Sequence, residues 1–152
     1  MSPSKSTKFP KHYASKFSVY RIVNQVIPSG GIHTIDFDFI NVDILREFDL
    51  GVTSGFIPNQ AGYYFFYASI EIPLLLATDL VGIAIRQTGG GTIGITERNA
   101  SMVLEVMYLE TSGIVYTTTP NNIYVTVSQN SGVNQNLAGN GCATSFQGFR
   151  IG

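Results

Sequence analysis

Apolar and polar residues alternate along most of this chain with a period of two, and helical spacing is nearly absent. Over residues 33–39, Ile35, Phe37 and Phe39 point one way and Thr34, Asp36 and Asp38 the other. The same pattern predicts strands over 18–26, 55–58, 62–72, 80–87, 102–109, 114–118, 123–129 and 144–151. Along 80–87, Leu80, Gly82, Ala84 and Arg86 share one face and Val81, Ile83 and Ile85 the other. Turn signals separate these runs. Pro28-Ser-Gly-Gly supplies two glycines free to take positive φ, Thr88-Gly-Gly-Gly-Thr is a flexible connection, and Thr119-Pro-Asn-Asn a tight turn. Residues 130–141 read as a polar loop. Nine or ten short strands with turn signals between them argue for an all-β fold, a sandwich or a jelly roll.

Residues 55–69 are the most informative stretch: a turn, then a strongly aromatic strand. Tyr64 and Phe66 share one face; Tyr63, Phe65 and Tyr67 share the other. Aromatics on both faces imply that both are covered. One face meets the sandwich core. The other meets a neighbouring subunit, as tyrosine suits an interface, or a loop of the same chain. Alternation alone leaves open which face is which.

Composition sharpens this picture. A chain of 152 residues is one domain, able to bury a core without disulfides or metal. Only 12 % of residues are charged and 44 % are hydrophobic, which points to surface hidden in an oligomer. Cys142 is the single cysteine, so no intrachain disulfide forms; it reads as a small, partly buried residue. No apolar leader is visible, and the longest apolar run is broken by Glu71, Pro73 and Asp79, so neither secretion nor membrane insertion is expected. Asn99-Ala-Ser101 is a glycosylation sequon that reads as unused for the same reason.

Charge is unevenly spread. Lys5, Lys8, Lys11, Lys16 and Arg21 precede the first acid, Asp36, leaving four bases against ten acids in the rest. The chain thus divides into a basic arm, 1–16, and a jelly-roll body, 17–152. Phe9 and Tyr13 punctuate the arm, which makes Lys5, Lys8, Phe9, Lys11 and Tyr13 candidates for anchoring on a protein surface rather than on nucleic acid.

Catalytic signals are weak. His12 and His33 lie far apart, and no HxxxH, CxxC or nucleophile elbow occurs. Gly89-Gly-Gly lacks the Lys-Ser/Thr of a phosphate loop. Asp36, Asp38, Asp43, Glu47 and Asp49 gather half the acids, but without the ligand order of a known calcium loop. They read as a solvated acidic face, or as a landing site for a neighbour's basic arm. No enzymatic activity is expected.

The spacing of aromatics resembles a known family, the globular heads of complement component 1q within the tumour necrosis factor superfamily. Phe37, Asp43 and Phe48 keep the first spacings of its signature, and Phe56, Gly62, Tyr64 and Phe66 the later ones. One extra residue separates Phe48 from Phe56, and Ala68 stands where an aromatic usually ends the motif. Phe146-Gln-Gly-Phe149 is similar to the family's last strand. Val125-Thr-Val-Ser-Gln-Asn-Ser-Gly is similar to the preceding strand and loop, with Pro120-Asn-Asn replacing the usual Gly-Asp turn. The resemblance covers roughly 17–152. It implies an all-β, ten-stranded antiparallel jelly-roll sandwich that forms a homotrimer, with Tyr63, Phe65, Tyr67 and Phe149 as interface candidates, and it admits calcium, which some members bind.

These readings lead to an attach-and-present function. The chain is expected to be a structural protein of a virus, specifically a bacteriophage: a trimeric capsid-decoration or tail or fibre head component of the virion. Its arm would hold a capsid or tail protein while loops face outward. The alternative is a bacterial surface or secreted trimeric domain binding a ligand such as a host-surface glycan through Asn130, Asn134, Gln135 and Asn136.

Overall fold

The computed structural model describes residues 14–51, 54–141 and 143–151. The described residues form thirteen strands: β1 (Lys16–Tyr20), β2 (Gln25–Ile27), β3 (His33–Thr34), β4 (Phe39–Asp43), β5 (Phe48–Asp49), β6 (Gly55–Phe56), β7 (Gly62–Leu75), β8 (Leu80–Gln87), β9 (Gly91–Asn99), β10 (Glu105–Thr117), β11 (Ile123–Gln129), β12 (Gln135–Leu137) and β13 (Ser145–Arg150). One sheet has the order β10-β7-β13-β1-β4. The second runs β5-β6-β11-β8-β9, with β3 also on β11, and β12-β2 forms a small ribbon. The pairings are antiparallel.

The two main sheets face each other over a core that alternation selects. Tyr64, Phe66, Ala68, Ile70 and Ile72 of β7 point inward and are buried, as are Val81, Ile83 and Ile85 of β8. Phe17 stacks on Phe56 with ring centroids 4.6 Å apart and meets Phe146 edge-on at 4.9 Å. Phe37 and Phe48 complete this aromatic cluster. Each ring buries a large apolar area and adds quadrupolar contacts, so the cluster is the main stabilising unit.

The jelly roll is as expected, but with thirteen strands rather than ten, and the differences have local causes. The predicted strand over 18–26 breaks after Tyr20. There the Asp38 carboxylate accepts the N–H groups of Ile22 (2.7 Å) and Val23 (3.1 Å), and Arg21 N–H joins Thr144 O instead. Chain direction changes and β2 starts afresh beside β12. The strand expected over 33–39 splits likewise. Ile35 and Phe37 are buried, but Phe39 opens a new strand, β4, and points outward against Tyr20.

The pieces predicted at 102–109 and 114–118 are one strand, β10, and the connection after Gln87 leads into β9, which the sequence reading missed. Gly94 of β9 and Gly113 of β10 explain both errors. A Cβ on Gly94 would stand 2.5 Å from Ser112 O, and one on Gly113 would stand 2.5 Å from Ile93 O. The two sheets close here backbone against backbone, so each strand needs a glycine that looks like a break. Pro73 sits within β7 because it lies past the end of β13 and at a register shift against β10.

Both described chain ends lie at one end of the sandwich. Arg150 N–H donates to Ser15 O (3.0 Å) and Ile151 N–H to Tyr63 O (2.8 Å). We call this end the base. The turns after β1, β7, β9 and β11 gather at the opposite end, the tip. There Thr78 N–H reaches Ala100 O at 2.9 Å and Leu80 N–H reaches Asn130 Oδ1 at 2.6 Å.

Candidate interaction surface

Ordinary antiparallel sheets present polar residues to water on the face away from the core. The outer face of the β10-β7-β13-β1-β4 sheet does not. Strand register lays its side chains in rows across the strands. Nearest the base, Tyr116 faces Tyr63, with rings 5.3 Å apart and edge-on. The next row runs Ile114, Phe65, Phe149 and Lys16, with the Phe65 and Phe149 rings 5.4 Å apart. Then come Ser112, Tyr67, Gln147, Ser18 and Val42, and after them Glu110, Ser69, Ser145, Tyr20 and Phe39. Tyr108 opposes Glu71 towards the tip. Tyr63 is 58 % exposed, and Phe149, Ile114, Tyr108 and Tyr116 are exposed like it.

Several polar groups on this face are paired with one another. Tyr67 O–H donates to Glu110 Oε2 at 2.7 Å, and Tyr108 O–H to Glu71 Oε1 at 3.2 Å. Asn140 Nδ2 donates to the other Glu71 oxygen at 3.2 Å. Ser69 and Ser145 share a hydrogen bond of 2.8 Å. Partial burial, reinforced by the Glu110 carboxylate, pushes the Tyr67 hydroxyl above its ordinary pKa. The hydrogen bond to Glu71 does the same for Tyr108.

Relief on this face is uneven. A mainly apolar hollow of about 350 Å³ lies between Lys16, Val42, Phe65, Gln147 and Phe149. Tyr116, Ile114 and Tyr108 line the β10 edge as a ridge of exposed side chains, each more than half exposed there. A hollow at one side and a ridge at the other are unlike patches on one surface, the arrangement that a closed ring of copies uses.

The structure brings Tyr63, Phe65, Tyr67 and Phe149 onto one outward face and assigns Tyr64 and Phe66 to the core. Tyr108, Ile114, Tyr116, Tyr20 and Phe39 join them; the sequence reading missed all five. The signal was the period-two series 108-110-112-114-116, hidden by the glycine at 113. The arm residues Lys5, Lys8, Phe9, Lys11 and Tyr13, together with His12 and Cys142, lie outside the described residues. Ser15 and Lys16 belong to the body: Ser15 is fully buried, its hydroxyl donating to the buried Glu47 carboxylate, and Lys16 opens β1.

The polar loop fares differently from expectation. Gln135 is buried in β12 and donates to Ser131 Oγ at 3.2 Å, so it is no surface ligand group. Asn130 uses its side-chain oxygen to hold Leu80 N–H. Asn134 and Asn136 are exposed.

Three of the five clustered acids, Asp38, Asp43 and Glu47, are committed to backbone. Asp43 accepts the N–H groups of Glu47 (2.9 Å) and Phe48 (3.0 Å), and Glu47 accepts Asn59 N–H (2.7 Å). Asp38 holds the turn after β1 and lies 3.7 Å from Arg21. Burial raises the Asp36 carboxyl above its ordinary range, against the pull of Arg21. Among the described residues no three His, Cys, Asp or Glu side chains converge as metal ligands. These carboxylates, spent on separate turns, do not fit a calcium site. Nor is any described helix long and apolar enough to cross a membrane.

Comparison with known proteins places the architecture. No protein-family model matches the chain, and no curated protein matches it in sequence. Solved structures do match. Murine APRIL shares 10 % identity at a TM-score of 0.71, covering 91 % of this chain and 100 % of that one. Eiger TNF from S. frugiperda shares 8 % identity at 0.71, covering 91 % and 93 %. The globular domain of the zebrafish complement 1qA protein shares 16 % identity at 0.55, covering 91 % and 98 %. With such low identity and near-complete coverage, what is shared is the path of the backbone: this chain has the jelly-roll fold of the complement 1q/TNF-like globular domain.

Proposed function

We propose that this chain is a self-assembling attach-and-present module, a homotrimer joined through the outer face of its five-stranded sheet. The observation that carries this reading is the exposed aromatic face, with a hollow near β1 and β4 and a ridge along β10. Aromatic side chains bury large areas at low entropic cost and dominate interface energetics. Cyclic symmetry keeps all bases at one end, so three arms leave together and three sets of tip loops face the other way.

The finer reading is a virion component of a bacteriophage, a capsid-decoration or tail or fibre head protein whose basic arm holds the particle. Its support is the unequal charge between arm and body and the low overall charge. The second reading, a bacterial surface or secreted glycan-binding trimer, draws on the exposed Asn134 and Asn136 near the tip.

Sedimentation equilibrium on the full chain and on a chain lacking residues 1–13 tests the assembly. Trimers in both cases are expected, since the body carries the face. A monomeric full chain would overturn the reading. Replacing Lys5, Lys8 and Lys11 with glutamine then tests the arm: particle attachment is expected to fall while the trimer persists, and undiminished attachment would remove the arm's role.

A further inference from the structure

The outer face of the second sheet carries a charged trough that neither reading above uses. Strand β8 presents Gly82, Ala84 and Arg86 to this face. Register sets Glu97 and Ser128 on either side of Gly82, and Ile95 and Thr126 on either side of Ala84. The small floor residues leave a hollow of about 140 Å³, lined also by Ile32. Glu97 and Ser128 lean over one end of it: a Cβ on Gly82 would stand 2.9 Å from Ser128 Oγ and 3.2 Å from Glu97 Cγ. Arg86 closes the other end. Its Nε donates to Thr126 Oγ1 at 2.9 Å and its Nη1 to Thr92 Oγ1 at 3.2 Å. Two hydroxyls thus hold the guanidinium plane without neutralising its charge, and among the described residues no carboxylate pairs with it. Arg86 Nη2, the Glu97 carboxylate and Ser128 Oγ also take no hydrogen-bond partner among the described residues.

The chemistry of the two ends restricts what fits between them. A guanidinium fork held in place favours a planar carboxylate, which it can bind through paired hydrogen bonds. The Glu97 carboxylate repels an anion at the far end and calls for hydroxyl or N–H donors there, which Ser128 can also meet. Between the ends, Ala84 and Ile95 offer an apolar strip that suits the C–H face of a ring. Gly82 and Arg86 lie four residues apart on β8, roughly 13 Å at the rise of a strand. A free amino acid, with both charges on one carbon, does not span the two ends, and a plain carboxylate leaves Glu97 without a donor. We propose that this trough binds a sugar acid, a monosaccharide unit whose carboxylate sits on Arg86 and whose hydroxyls meet Glu97 and Ser128. The inference does not rest on the trimer, since the trough lies on the sheet opposite the aromatic face. It goes beyond the glycan reading by naming a charged sugar and a site away from the tip loop.

Saturation-transfer NMR on the full chain tests this with glucuronate, N-acetylneuraminate, glucose and acetate as probes. Transfer to at least one of the two acids is expected, and which of them responds tells a uronic from a sialic acid. Glucose and acetate should give none. Arg86→Lys keeps the charge and loses the fork, so affinity for the responding acid should fall roughly tenfold. Ala84→Val raises the floor with a residue that suits a strand, and should abolish transfer while circular dichroism stays that of the parent. Silence from both acids would overturn the proposal. Equal transfer to glucose would show that the carboxylate is not read, and equal transfer to acetate that the sugar is not; either result overturns it. Transfer that persists undiminished in both variants would place the sugar elsewhere, striking the trough and leaving the glycan reading standing.

Discussion

Gly94 and Gly113 show how much a single missing side chain decides here. Each faces a carbonyl oxygen of the other strand at a distance that no Cβ tolerates, 2.5 Å from the ideal Cβ position. Neither position requires positive φ, so the demand is for space alone. Gly94→Ala and Gly113→Ala are each expected to destabilise the fold by about 1–3 kcal/mol, since the opposing backbone must move to make room. Urea unfolding of the two variants checks this, and midpoints equal to the parent's would show that the sheets can part at no cost. Gln129 makes the complementary point about polar residues. It is buried, donates to Ile27 O (3.0 Å) and Val133 O (2.8 Å), and accepts Ser131 N–H (2.8 Å). A sequence reading sees only a glutamine closing a strand; the fold uses it to satisfy three backbone groups beneath the β2–β12 ribbon.

At the scale of elements, β10 and its leading turn act as a unit. The Ser101 N–H, and after it the Met102 N–H and Arg98, hold the Glu105 carboxyl below the ordinary carboxylate range. A lowered folded-state pKa means that this contribution to turn stability is complete above the unfolded carboxyl's pKa and is lost as pH falls through the folded one. Hydrogen-exchange protection of Ser101 and Met102 should therefore be intact near neutrality and fall away in acid, below the usual range for glutamate. Glu105→Gln should lower that protection at neutral pH and remove its acid dependence. Protection that is the same in the variant and the parent at every pH would show that the carboxylate does not brace the turn. Much of β10 was legible, since residues 106, 108, 114 and 116 alternate cleanly. Its continuity was not, because a glycine required by a neighbouring sheet is indistinguishable in one dimension from a glycine that ends a strand.

At the scale of the molecule, the face and the fold separate. Phe149 and Tyr116 are exposed on the outer face and make no part of the inter-sheet core. Replacing both with serine is expected to leave the circular dichroism of the β-sandwich unchanged while converting the proposed trimer to monomer in sedimentation at micromolar concentration. A trimer that survives both changes would move the interface elsewhere. A row of exposed aromatics on one sheet face is the kind of surface that marks an interaction site, and the low charged fraction of the chain fits that reading.

Sequence alone determined the class of this fold. Period two and glycine-and-proline punctuation are local properties of strands and turns and specify an antiparallel all-β fold, and the resemblance carried by the 37-43-48-56-62-64-66 series narrows it to a jelly roll. Sequence also singled out Tyr63, Phe65 and Tyr67 as a group, because alternation places side chains two apart on one side of a strand, and the family resemblance added Phe149. Tertiary structure decided which side that is. Alternation is symmetric between faces, and only the packing of Phe17, Phe56, Phe66 and Phe146 against one another breaks the symmetry. It likewise decided that Gln135 turns inward and that Asp38, Asp43 and Glu47 hold turns. It gathered the Ile22–Val23 and Met102–Leu104 turns at one end of the sandwich, because β1 leads up to that end and β10 leads away from it within the same sheet.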